Sequence, residues 1–242
     1  MSLQSRLNPH VDSITPYQPG KPIETVAREL GLDPAAIIKL ASNECPLGPS
    51  PKAVKAIKNS AKAMHIYHDG GAYALRVKLA ESLQVKQEQL IFGNGSNELL
   101  ELIGHCLLKP GASSIMSEHA FVVYKLVSVM FGAECIQIPE KANYTHDLRK
   151  MAKAIKPETS VVFVCNPNNP TGSMVKQADI DAFMEKVPAG VLVVFDEAYR
   201  ELCLKRMPDT MKYVREGRDV IILRTFSKAY GLAGLRIGYG IA

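Results

Sequence analysis

The 242 residues are enough for one large core, and 47% of them are hydrophobic, which excludes an intrinsically disordered chain. The 29 basic and 24 acidic residues leave a net charge of +5, a mild surplus with no Lys/Arg block dense enough to track a nucleic-acid backbone. No apolar run reaches membrane-span length and no apolar signal core opens the sequence. The five cysteines are odd in number and contain no CxxC pair, so buried free thiols of a reducing, cytoplasmic compartment are expected.

In chain order, residues 1–22 hold four prolines and read as an irregular arm. Ile23 to Leu30 reads as a helix closed by Gly31. Ile37 to Ala41 reads as a short extended piece before the turn-rich SNECPLGPSP. Pro51 opens a helix to about Ala63, with Val54, Ile57 and Ala61 on one face. Tyr73 to Leu83 reads as another helix.

From residue 90 the pattern changes to an alternation of short apolar runs and helices. Strands are expected at Leu90–Phe92, Ser113–Met116, Cys135–Ile138, Ser160–Cys165, Val191–Phe195, Val220–Leu223 and Arg236–Ile241. Helices are expected from GNGSNE through Leu108, then at Phe121–Phe131, Leu148–Ile155 and Gln177–Lys186. Continuous β-branched runs such as VVFVC and VLVVF are buried on both faces. The fold class is therefore α/β, a mostly parallel sheet between two helical layers.

Ligands of such sheets gather where the strands end at their carboxyl side, and the informative motifs all come directly after a strand. Gly93-Asn94-Gly95-Ser96-Asn97-Glu98 is a glycine-containing turn into a helix, where free N–H groups favour an anion such as phosphate; a plain turn with Ser96 as N-cap is the competing reading. Asn166-Pro167-Asn168-Asn169-Pro170-Thr171-Gly172 is dense in turn formers and would hold Asn169 rigidly. Asp196, after five apolar residues, needs a cationic partner, either a ligand ring nitrogen or a protein Arg or Lys. Glu197 is expected to cap or pair locally. Lys228 comes after a buried strand and a serine, a setting suited to an amine that does chemistry. Arg236, eight residues on, suits bidentate recognition of phosphate. An amine, an acidic partner, a phosphate cradle, aromatics and a rigid Asn are the inventory a lysine needs to hold an aldehyde cofactor with a phosphate and a pyridinium nitrogen. No metal-ligand spacing is visible.

The stretches LASNECPLGPSP, YHDGGAYALR, IFGNGSNELLELI, VCNPNNPTG, VVFDEAYRE and RTFSKAYGLAGLRIGYG resemble the fold-type I aminotransferases that use pyridoxal 5'-phosphate, and within them the histidinol-phosphate aminotransferase subfamily. The resemblance covers nearly the whole chain. It implies a three-layer α/β/α cofactor-binding domain over residues 51–242, incomplete at its C-terminal end, preceded by an N-terminal arm and small-domain contribution over residues 1–50. It implies that Lys228 carries the cofactor and moves the proton, that Asp196 pairs with the ring nitrogen, and that Tyr199 and Asn169 bond the phenolic oxygen. Gly95, Ser96, Asn97, Ser227 and Arg236 would hold the phosphate. Phe121 would stack on the ring, with Tyr124 as the alternative. Tyr67 would reach the phosphate of a neighbouring subunit in a homodimer, and Tyr17 and Asn43 would lie near the substrate.

The implied reaction moves an amino group between L-histidinol phosphate, or its ketone counterpart, and the 2-oxoglutarate/glutamate pair, in histidine biosynthesis. An aromatic amino acid aminotransferase, or an inactive fragment, stays open as an alternative. In two places the sequence departs from the family. It has Tyr67-His68-Asp69 where the family usually has a Tyr-Pro-Asp turn. The family also continues beyond the position of Ala242 through a small domain that carries a substrate-carboxylate arginine, so a C-terminally short chain is expected.

Overall fold

The structure is a computed structural model that describes residues 6–203 and 207–242. The first five residues of the expected arm lie outside the described residues. Helices α1 (Ile23–Leu30), α2 (Pro51–Ser60) and α3 (Tyr73–Leu83) precede the sheet. Then β1 (Leu90–Asn94), α4 (Ser96–Leu107), β2 (Ser113–Ser117), α5 (Val123–Met130), β3 (Glu134–Ile138), α6 (Leu148–Lys153) and β4 (Thr159–Cys165) alternate. They are followed by α7 (Gln177–Met184), β5 (Leu192–Asp196), α8 (Arg200–Cys203), α9 (Met211–Arg215), β6 (Val220–Thr225) and β7 (Ile237–Ile241).

Among the described residues the strands form one sheet in the order β1-β7-β6-β5-β4-β2-β3. The five strands from β6 to β3 pair parallel, while β7 is antiparallel to both β1 and β6. The expected mostly parallel sheet is present. Because β7 runs against its neighbours, β1 and β6 end, and β7 begins, on the rim where β2, β4 and β5 also end. One rim therefore receives every strand-end motif.

The period-2 alternation of a strand builds the two cores. Val161, Phe163 and Cys165 of β4 face one cluster, with Leu99, Leu100 and Ile103 of α4 and Tyr124 and Val127 of α5. Val162 and Val164 face the other, with Met151 of α6, Ile180 and Phe183 of α7 and Val214 of α9. Both sheet faces are covered by helices, which gives the three layers.

Several local expectations shift. Ile37–Ala41 joins no strand ladder: Ile37 is extended, at φ −90° and ψ 121°, but the segment pairs with neither edge strand, β1 or β3. Helix α5 begins two residues after Phe121. Gly95, not Ser96, is the N-cap of α4, and no side chain caps it. The cysteines are not uniformly buried. No disulfide joins them, but only Cys165 is buried, whereas Cys106 is exposed on α4 and Cys45, Cys135 and Cys203 are half-buried. No described helix is long and apolar enough to cross a membrane.

Candidate active site

A cavity of about 610 Å³ opens on the carboxyl rim of the sheet, a volume suited to a cofactor with a small substrate. Its floor is Asp196, the last residue of β5 and 3% exposed. Tyr124 donates to Asp196 Oδ2 at 2.7 Å and the Ala198 amide donates to Oδ1 at 3.1 Å. Burial pushes the Asp196 carboxyl upward, and the two donors oppose that shift. A cationic partner on the cavity side would complete the site, since burying a lone carboxylate is costly.

Lys228 lies just beyond β6, and its amine donates to the Ser42 carbonyl at 2.9 Å. It also lies over the Tyr199 ring, 5.6 Å from the centroid. Burial depresses the amine below the usual lysine value. Glu44 works against that, Arg236 with it, and Asp196 against it. A partly desolvated amine with a lowered proton affinity is a better nucleophile near neutral pH.

Another part of the cavity wall is a cradle. Gly95, at φ +76°, opens α4, and a Cβ there would collide with the Arg236 guanidinium. A Cβ at Gly238 would come within 2.5 Å of the Ser96 amide nitrogen. These two glycines let a guanidinium and an uncapped helix N-terminus share one small space, where their positive ends favour an anion. Ser96, Asn97, Ser227 and Arg236 line it. The Arg236 guanidinium is held by the carbonyls of Ala233 at 3.0 Å and Asn94 at 3.4 Å. The donor set and the Cβ-free cradle fit a phosphorylated cofactor.

Asn169 also lines the cavity, on a loop fixed from within. The Asn168 amide donates to the His119 carbonyl at 2.8 Å and to Thr171 Oγ1 at 2.9 Å, and Asn166 Oδ1 accepts from the Val175 amide at 3.1 Å. Phe121, Tyr199, Tyr17 and Asn43 complete the wall. Tyr67 stands apart, outside this cavity and 98% exposed.

Tyr124 does not serve as an alternative to Phe121. It is fully buried, stacked on Phe163 at 4.8 Å, and its hydroxyl is committed to Asp196. Its helical spacing of three from Phe121 hinted that the two share a face, but not that one would reach the carboxylate. Glu197 is also more than a local pair. Its side chain is 1% exposed, it accepts from Arg224 Nε at 2.9 Å, and Arg224 Nη2 lies 2.9 Å from the same oxygen without hydrogen-bond alignment. Arg200 at 3.2 Å and the Thr210 hydroxyl also donate to it. This ion pair ties the end of β5, which carries Asp196, to the end of β6, which leads to Lys228.

The profile of the aminotransferase class I and II family matches residues 35–242. The chain belongs to that family. A histidinol-phosphate aminotransferase of Akkermansia muciniphila is 57% identical over 242 residues, all of this chain and 66% of the relative. One from Moorella thermoacetica is 51% identical over 95% of this chain and 59% of its own length. The histidinol-phosphate aminotransferase of Sinorhizobium meliloti, solved in complex with pyridoxal-5'-phosphate, superposes with a TM-score of 0.88 at 29% identity. That match covers 98% of this chain and 63% of the other. The chain thus spans roughly three-fifths to two-thirds of the length of these class I and II aminotransferases.

Proposed function

We propose that this chain is the cofactor-bearing part of a histidinol-phosphate aminotransferase that uses pyridoxal 5'-phosphate. The observation that carries the reading is the meeting, in one cavity, of a partly desolvated lysine, a buried carboxylate and a glycine-lined helix N-terminus with an arginine. The substrate is argued from the 57% identity to the Akkermansia muciniphila enzyme.

Bound there, the cofactor supplies an aldehyde that takes up an amino group and a ring that accepts electron density. Ser96, Asn97, Ser227 and Arg236 would hold its phosphate with charge-assisted bonds. Asp196, kept in place by Tyr124 and Ala198, would keep a proton at the ring nitrogen. Phe121 would offer its face for stacking. Asn169 and Tyr199 would donate to the phenolic oxygen. Lys228 would hold the cofactor and would be the group that moves a proton at the substrate α-carbon.

Amino transfer would run between L-histidinol phosphate and 2-oxoglutarate, with Tyr17 and Asn43 on the substrate side. We also assign residues 1–50 as the arm and 51–242 as the cofactor-binding domain. Tyr67 would act across a homodimer of a cytoplasmic enzyme. The exposed apolar side chains beside it in the chain, Met64 at 72% and Ile66 at 65%, together with Leu47 at 92% on the arm, support a covered surface.

The test is glutamate formation by the purified protein from 2-oxoglutarate and L-histidinol phosphate, with phenylalanine and phosphothreonine as competing substrates. Preferential transfer from L-histidinol phosphate is expected. Preferential turnover of either competitor would overturn the substrate assignment.

A further inference from the structure

Two adjacent residues of the arm reach the two reactive side chains of the cavity, in a backbone conformation that non-glycine residues seldom adopt. Ser42 and Asn43 have φ of 69° and 50°. Left-handed backbone at consecutive L-residues persists only where the surroundings enforce it. Here the clamp is visible. A Cβ on Gly20 would come within 2.8 Å of the Ala41 Cβ, and one on Gly231 within 2.5 Å of the Gly48 carbonyl. So the start of the arm packs against Ala41 and Ser42, and the loop after Lys228 packs against Gly48, further along the same turn-rich stretch. Held this way, the Ser42 carbonyl accepts from the Lys228 amine, and the Asn43 amide Nδ2 donates to the Tyr199 hydroxyl oxygen at 2.9 Å.

The direction of the second bond matters. A tyrosine hydroxyl has one proton to give. Because Asn43 donates to the oxygen, the phenol does not spend its proton on Asn43. Tyr199 lines the cavity, and that proton remains for an acceptor inside it. We propose that Asn43 is a positioning residue for Tyr199, fixing the phenol as a hydrogen-bond donor into the cavity rather than acting only as a substrate contact. This rests on the reading that pyridoxal 5'-phosphate binds there and that its phenolic oxygen is the acceptor. Donation to that oxygen lowers the proton affinity of the nitrogen through which Lys228 holds the cofactor. Losing the alignment of Tyr199 must therefore raise the pH at which the visible band of the lysine-bound cofactor titrates.

The experiment is a spectrophotometric pH titration of the cofactor-loaded protein, for wild type, Asn43→Gly, Tyr199→Phe and the double variant. Glycine deletes the amide and tolerates positive φ, so the loop conformation is kept; circular dichroism checks the fold. Asn43→Gly is expected to raise the midpoint by roughly half to one pH unit, a three- to ten-fold change in the proton equilibrium. Tyr199→Phe should raise it further, and adding Asn43→Gly to Tyr199→Phe should add nothing. An unchanged midpoint in Asn43→Gly, or an additive shift in the double variant, overturns the proposal, and a raised KM beside an unchanged midpoint would leave Asn43 a substrate contact only. Absence of any visible band in folded wild type would overturn the cofactor reading, and this proposal with it.

Discussion

The sheet rim and the N-terminal arm build the same cavity in opposite ways. At the rim, Asp196, Glu197, Arg224 and Thr225 are each under 5% exposed, and each is bonded to a neighbouring strand end or loop. Along the arm, Ile38 is 85%, Leu40 89% and Leu47 92% exposed. The arm touches the reactive groups through two hydrogen bonds, one accepted by the Ser42 carbonyl from Lys228 and one donated by Asn43 to Tyr199. Groups that do chemistry must be held to a fraction of an ångström, and a packed sheet supplies that hold. Groups that adjust or select can sit on a segment whose apolar side chains wait for a cover.

The sharpest break in this comparison is Lys228→Ala. Turnover should fall by at least about 10³-fold, because among the described residues no other amine lines the cavity. Thermal stability should hold or rise slightly, since burial disfavours the charged amine. Turnover assays beside thermal melts would separate the two effects.

Next in size is Glu197→Ala. It leaves Arg224 buried without its counter-charge, a loss of about 3–5 kcal/mol that urea unfolding would measure. The matching change on the arm is Glu29→Ala, which breaks the pair of Lys21 and Glu29, side chains 61% and 48% exposed. It should alter stability by less than about 1 kcal/mol. Equal losses at the two sites would erase the contrast between rim and arm.

A smaller effect is expected from Leu47→Asp. If a second copy covers the arm, sedimentation should show dimerisation weakened by about ten-fold or more, near 1.4 kcal/mol, with the melt of the monomer unchanged. Identical sedimentation of variant and wild type would leave the arm without that cover.

The smallest effect lies away from the site. Asp181 of α7 accepts from Lys212, Tyr213 and Gln177 at 2.5, 2.5 and 2.8 Å. The Lys212 bond, then those of Tyr213 and Gln177, hold its carboxyl down at about 2, against an ordinary 3.8. The folded value is depressed, so the stabilisation is present above pH 3.8 and is lost as pH falls towards 2. Asp181→Asn should cost under about 1 kcal/mol at neutral pH, because the side chain is over a third exposed. The gap to wild type should close in acid, as melts from pH 7 to pH 2 would record.

Much of this molecule was legible from sequence because its local and global signals agree. The runs VVFVC and VLVVF can only be strands covered on both faces, and the residues directly after each run must emerge at a strand end. That logic alone collects Gly95, Asn169, Asp196 and Lys228. Helices α8 and α9 were missed. Helix α9 is five residues long and the described part of α8 four, too short for a helical period to register. The Tyr124–Asp196 bond spans 72 positions and the Asn43–Tyr199 bond 156. Both depend on how α5 and the arm settle on the sheet, which no local pattern encodes. The Glu197–Arg224 pair was equally hidden, because its burial is set by the register of β5 beside β6.

Lys228 is proposed to hold the cofactor. The most direct measurement is borohydride reduction of the protein loaded with pyridoxal 5'-phosphate, followed by peptide mass spectrometry. One phosphopyridoxyl group is expected, on the peptide carrying Lys228 and on no other lysine. A group fixed elsewhere, or none on a folded protein whose visible band borohydride leaves untouched, would contradict it.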